Sequence, residues 1–236
     1  MAMQTGKIVS RDEWLAARLE LLEEEKAHLR ARDALAAQRR ALPWVRVETP
    51  YLFQSPRGEL TLSRLFGDKS QLIVMHFMYG EGWEEACPSC SFWADGYDGT
   101  TVHMAHRDAA FVAVSNCPLA QIEAYRKRMG WSFEWVSCHG TSFGHDFHVS
   151  FTPEEMERGE VEYNYRRSRF PSSEAPGASV FARDDAGAVY HTYSCFSRGL
   201  DNLNVAYQFI DLLPKGRDEE GLSHAMAWVR RHDRYD

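Results

Sequence analysis

The sequence predicts an α/β protein built on one mixed central sheet flanked by helices. Apolar runs of strand length, Gln71 to Tyr79 and Phe111 to Ser115, alternate with helical stretches. The order strand, helix, strand, helix, strand then passes into an antiparallel hairpin and a closing helix, the pattern of a sheet with both directions. At 236 residues and 44% hydrophobic content, the chain is long and apolar enough to bury a full core.

Ser10 and Glu13 read as a capping box. From there to about Arg40 the chain is rich in Ala, Leu, Glu and Arg and free of Gly and Pro, which predicts one long helix. Trp14, Leu15, Leu21, Leu22, Leu29 and Leu35 give it a narrow apolar stripe, read as a homodimer contact, with docking on the main domain as the alternative. The expected division is an N-terminal helical extension over 1–42 and a main domain over 43–236. Trp44 to Phe53 and Glu59 to Leu62 read as strands joined at Ser55-Pro56-Arg57-Gly58. Gln71 to Tyr79, nearly all apolar, reads as the central strand.

A helix is expected from Cys87 to about His106, weakened at Gly96 and Gly99, because Pro88 suits a first helical position. A strand over Phe111 to Ser115, a helix from Pro118 to Met129 stopped by Gly130, and a strand over Trp131 to Ser137 follow. Residues 139–177, with separate acidic and basic blocks, read as an insertion and a candidate lid. Ser179 to Arg183 and Ala188 to Tyr193 form a hairpin, Leu200 to Leu213 a helix, and Leu222 to Arg231 an amphipathic end.

The net charge of −7 is spread along the chain, which leaves no basic field for nucleic acid. No run is long enough for a membrane span and no signal-peptide layout opens the chain, so the expectation is a cytoplasmic protein. Five cysteines do not suit a paired secretory framework.

The chemistry concentrates at Cys87-Pro88-Ser89-Cys90. A thiol attacks as its thiolate, which the unpaired N–H groups of a helix start favour, so Cys87 is the expected nucleophile. Cys90, one turn on, can resolve a mixed disulfide at Cys87. Glu84 and Glu85 oppose the activation, since nearby carboxylates raise a thiol pKa. Trp83, Phe92 and Trp93 line a substrate groove or simply pack, and Asp95 takes a proton or is merely exposed. His191 and Tyr193 alternate on a strand, so that one could face the catalytic helix. Two other accounts of the cysteines stand beside this one: buried structural thiols, or a zinc site completed by Cys138, His139, His145 or His148, whose spacing matches no finger. Cys117 is a conceivable third redox thiol.

Gly58, Leu62, Leu65, Phe66, Gly67 and Lys69 before the central strand, with Phe111-Val112-Ala113-Val114-Ser115 and its helix, resemble the peroxiredoxin-type branch of the thioredoxin-like superfamily. Closer still is the family catalogued as domain of unknown function 899, described as predicted dithiol-disulfide oxidoreductases. Its character shows in Cys87 to Gly96, Ser179 to Asp184, His191-Thr192-Tyr193-Ser194, Ser197-Arg198-Gly199 and Arg230-Arg231-His232-Asp233-Arg234-Tyr235. The resemblance implies a thioredoxin-like fold and a redox role and names no substrate; with the Cys87 to Cys90 motif, the expectation is a dithiol-disulfide oxidoreductase acting on a disulfide-containing protein or small thiol, with an unidentified electron donor and no expected cofactor or metal. A thiol peroxidase and a non-catalytic binding module are the alternatives. Peroxiredoxins carry Pro and Thr where this chain has Gly80 and Glu84, which disfavours the peroxidase. The cis-proline of thioredoxins aligns with Ala178, leaving Pro176 as the nearby candidate.

Overall fold

A computed structural model describes residues 6–235; the first five residues of the extension and Asp236 lie outside the described residues. The chain divides into two compact units at Pro43. The first holds helix α1, Arg11–Arg40, opened by the expected capping box: the Ser10 hydroxyl accepts from the Glu13 N–H, and the Glu13 carboxylate accepts from the Ser10 N–H. Trp14, Leu15, Leu21, Leu29 and Leu35 are exposed along it.

The second unit is built on a curled eight-stranded sheet in the order β1-β10-β9-β4-β5-β6-β2-β3. Its strands are β1 (Val45–Arg46), β2 (Leu52–Ser55), β3 (Gly58–Thr61), β4 (Gln71–His76), β5 (Ala109–Ser115), β6 (Trp135–Ser137), β9 (Gly177–Arg183) and β10 (Val189–Phe196). A separate hairpin pairs β7 (Val161–Tyr163) with β8 (Arg166–Ser168). The helices are α2 (Pro88–Ala94), α3 (Asp98–Ala105), α4 (Leu119–Met129), α5 (Phe143–Asp146), α6 (Pro153–Arg158) and α7 (Val205–Ile210). Strand β4 runs parallel to β5 and antiparallel to β9, and β10 returns antiparallel on β9. With the cysteine helix leaving the end of β4, this is the expected thioredoxin-like arrangement.

The central strand is apolar on both faces because both are covered. Met75 and Phe77 enter the core that also holds Cys90, Trp93, Tyr97 and Trp135. Leu72 and Val74 enter the opposite core with Phe53, Phe66, Val112 and Phe181. Helix α4 stops where expected, with Gly130 in the left-handed region at φ 69°.

Several expected elements come out shorter or divided, each for a local reason. The stretch expected as one strand over Trp44 to Phe53 splits, β1 pairing with β10 and β2 with β3 and β6. The expected helix from Cys87 to His106 breaks into α2 and α3; a Cβ at Gly96 would meet Val205 Cγ2 at 3.3 Å, so this turn packs directly on α7. The strand expected from Trp131 forms only at Trp135, because the Asp98 carboxylate takes the N–H groups of Ser132 and Phe133 at 2.9 and 2.7 Å. The helix expected over Leu200 to Leu213 is a 3-10 segment, Ser197–Leu203, followed by α7, whose start is capped by the Asn204 side chain accepting from Tyr207 N–H at 2.8 Å. Residues 139–177 fold around a small core of their own, in which Val149, Phe151, Val161, Tyr163 and Ala175 pack with Phe196 of β10.

Candidate active site

Cys87 is the residue before the first turn of α2, and Pro88 begins the helix without needing a partner for an N–H it lacks. The Cys87 N–H donates to Met78 O at 3.1 Å, which ties Cys87 to the chain just beyond β4. Cys87 is half-buried; Cys90, one turn on, is 8% exposed. The two cysteines lie one helical turn apart, and their influence on each other separates them. The neighbouring Cys90 thiol foremost, with help from the N–H groups of Cys90 and Ser89 and the Ser89 hydroxyl, brings the Cys87 thiol down to about 7 against the opposing effect of burial. The neighbouring Cys87 thiol in turn, with burial and the Cys87 charge, drives Cys90 well above its ordinary value.

The acids before Cys87 are disposed differently. Glu84 is exposed. Glu85 meets Arg128, Arg231 at 2.7 Å and Arg234 at 3.3 Å, and the Arg128 contact foremost holds its carboxyl below the ordinary range. Arg231 does more than neutralise. Its guanidinium donates to Ala86 O at 2.6 Å and to the Tyr125 hydroxyl at 2.9 Å. The Tyr125 hydroxyl lies 3.0 Å from Ser91 Oγ, and the Ser91 hydroxyl donates to Cys87 O at 2.9 Å. Since Ser91 spends its proton on Cys87, Tyr125 must donate to Ser91. One arginine thus holds Ala86 O directly and Cys87 O through Tyr125 and Ser91, on either side of the Cys87 Cα.

Behind the pair lies a cavity of about 510 Å³. Ser89, Cys90, Trp93 and Pro176 are among its walls, whereas Cys87 is not. The Trp93 indole N–H donates to Leu200 O at 2.9 Å, which joins α2 to the 3-10 segment. Pro176 stands in the wall just before β9, and its peptide bond is trans, as are all those described. Ala178, the aligned position, lies within β9 opposite Met75, its methyl in the core.

The remaining candidates make packing or polar contacts of their own. Trp83 crowds Gly80, where an added Cβ would meet its indole nitrogen at 3.0 Å, and its carbonyl accepts from Gln121 at 2.6 Å. Asp95 accepts from the Trp131 indole at 2.9 Å and from His232 Nδ1 at 2.6 Å. His191 packs on Phe147 and Phe181, the face away from the cysteines. Cys117 and Cys138 are buried, which raises both thiols to about 12. His139, His145 and His148 pair separately with Glu81, Glu155 and Glu162, and no group of three metal-ligating side chains gathers among the described residues.

Sequence reasoning attached no role to Ser91, Tyr125, Arg128 or Arg231. The signals available were the Cys87 to Gly96 and Arg230 to Tyr235 segments, quoted for their resemblance, which hold Ser91 and Arg231. The partners of the second segment lie far back along the chain, so only the folded molecule shows what it holds.

Comparison with known proteins places a family model over residues 3–235, that of a bacterial protein family of unknown function, DUF899. The chain belongs to this family. No curated protein matches it. This DUF899 chain is similar in fold to solved peroxiredoxin structures at low identity. Peroxidoxin BcpB from Mycobacterium tuberculosis is 12% identical, with 72% of this chain and 96% of that one covered at a TM-score of 0.45. The bacterioferritin comigratory protein of Xanthomonas campestris is 9% identical, with 70% and 94% covered at a TM-score of 0.47. A yeast mitochondrial 1-Cys peroxiredoxin is 13% identical, with 72% and 78% covered at a TM-score of 0.39. Among the described residues of the DUF899 chain no helix is long and apolar enough to cross a membrane.

Proposed function

We propose that this DUF899 protein is a thiol-disulfide oxidoreductase, with Cys87 as nucleophile, Cys90 as resolving thiol, and a disulfide-bearing protein or small molecule as substrate. The observation that carries the reading is the placement of the pair: half-buried Cys87 just before the first turn of α2 and buried Cys90 one turn on, an arrangement that lowers the first thiol to about 7 and raises the second. At neutral pH such a pair offers one thiolate for attack and keeps the other protonated until it is needed.

The Cys87 thiolate attacks one sulfur of the substrate disulfide, forming a mixed disulfide and expelling the other substrate sulfur as thiolate. Cys90 then gives up its proton and attacks the Cys87 sulfur. The Cys87–Cys90 bond forms, the mixed disulfide breaks, and the substrate leaves with both thiols. Two electrons pass from the cysteine pair to the substrate. Gly80 and Glu84, at positions where peroxiredoxins carry Pro and Thr, support a disulfide over a peroxide as the substrate.

Trapping tests the reading. In Cys90→Ser the second step is lost, so a mixed disulfide should accumulate at Cys87, found by mass spectrometry of protein incubated with oxidised glutathione. An adduct that forms only at Cys117, Cys138 or Cys195, or no adduct, would overturn it.

A further inference from the structure

We infer that the cavity beside Cys90 admits the electron donor, and that this donor is a small, neutral, apolar dithiol attacking Cys90 from inside the molecule. The inference rests on the dithiol-disulfide reading above and assigns the step that restores the reduced pair.

The walls argue the chemistry of the occupant. Met75, Phe77, Met78, Trp93, Leu200 and Met226 give the cavity an apolar lining, and its volume of about 510 Å³ is that of a small-molecule site. The charged groups that also line it are already paired or hydrogen-bonded. Arg217 pairs with Asp201 at 2.9 Å and Asp211 at 2.8 Å, and Arg198 reaches Asp201 at 3.1 Å. Glu219 accepts from the Tyr207 hydroxyl, the Trp228 indole and Met226 N–H at 2.7, 2.8 and 3.0 Å. A charged ligand would have to break one of these pairs or bury its charge unmatched. A neutral apolar ligand gains from the walls at no such cost.

Access argues the atom attacked. Cys90 is in the cavity wall and Cys87 is outside it, so a ligand seated there meets the Cys90 side of the disulfide. One donor thiolate attacks the Cys90 sulfur; the Cys87–Cys90 bond breaks and Cys87 leaves as thiolate. Cys87, being the more acidic thiol, is the better leaving group. The second donor sulfur then attacks the first, and Cys90 departs, taking up the proton released by the donor. The donor leaves as a cyclic disulfide, and the pair has gained two electrons. A monothiol would stall, because Cys87 attacking back at Cys90 simply expels it; an attached second thiol competes with that reversal intramolecularly.

The test uses the full chain oxidised to the Cys87–Cys90 disulfide, with dihydrolipoamide as the apolar dithiol and dithiothreitol as the polar one. Dihydrolipoamide should be the faster reductant by about tenfold or more, since each buried methylene is worth about fourfold. Ala225, exposed in the cavity wall, is replaced by Trp, and the ratio of the two rates should collapse towards one. A second measurement needs no cavity variant: in Cys87→Ser, benzyl methanethiosulfonate should label Cys90 faster than a trimethylammonium-ethyl analogue does, read by peptide mapping. Equal rates for the two dithiols, or a ratio untouched by A225W, or equal labelling, would overturn the donor assignment while leaving the oxidoreductase reading in place. Failure to form the disulfide at all would remove both.

Discussion

At Cys87 the influence of the neighbouring Cys90 thiol outweighs burial, and the balance sets how much thiolate exists at neutral pH. The ultraviolet thiolate absorbance of the reduced protein should therefore titrate with a midpoint about 7, and the transition should vanish in Cys87→Ser. Arg231 belongs to the same balance because it covers Glu85 and holds Ala86 O. Arg231→Gln keeps a donor but removes the positive charge over Glu85, which should raise the Cys87 midpoint. An unmoved midpoint would mean that Arg128 and Arg234 alone suffice to mask Glu85.

Among the elements, the passage of the chain from the insertion into β9 is the tightest fit near the site. A Cβ on Gly177 would meet Phe196 Cδ1 at 2.7 Å and His76 Cδ2 at 3.3 Å. Gly177→Ala should cost roughly 1–3 kcal/mol by overpacking, measured by denaturant unfolding. The outcome bears on the site because Gly177 follows Pro176 in the cavity wall. The elements also show what the sequence could disclose. Strands β4 and β5, the hairpin β2–β3, α1 with its capping box and the stop of α4 at Gly130 were legible because apolar period, caps and turn residues act locally. The weak point at Gly96 was legible, though not its packing on Val205; the breaks at Ser132 and Asn204 were not, since they answer to Asp98 and a side-chain cap that only tertiary packing brings into reach. Cys87 and Cys90 were legible for the same local reason, as a turn-spaced pair at a helix start. The cavity was not, because its walls come from β4, α2, α7 and the chain near Met226.

Across the whole molecule, two buried groups make the pH dependence of stability unusual. His76, stacked on Phe147 and hydrogen-bonded to Ser179 at 2.8 Å, is held down to about 3 by burial from its ordinary 6.5. The unfolded chain takes up this proton first, so the His76 contribution is full above 6.5 and lost as pH falls towards 3, at roughly 1.4 kcal/mol per unit. Glu174, raised by burial from 4.5 to about 7, has the opposite sign: its contribution is full below 4.5 and lost as pH rises through 7. Between 4.5 and 6.5 the two slopes oppose each other. Glu174→Gln should uncover the histidine slope, with unfolding free energy rising by roughly 1.4 kcal/mol per pH unit across that window. A flat profile in the variant would contradict the burial of His76 as a neutral side chain.

The account as a whole stands on Cys87 and Cys90 being a reversible redox couple. Equilibrating the protein in graded mixtures of reduced and oxidised thiol buffer, with free thiols alkylated and mapped, measures this directly. A single two-electron transition confined to Cys87 and Cys90, with Cys117 and Cys138 reduced throughout, is the predicted result. A pair that stays reduced under oxidising buffer, or a disulfide formed by other cysteines, would contradict it.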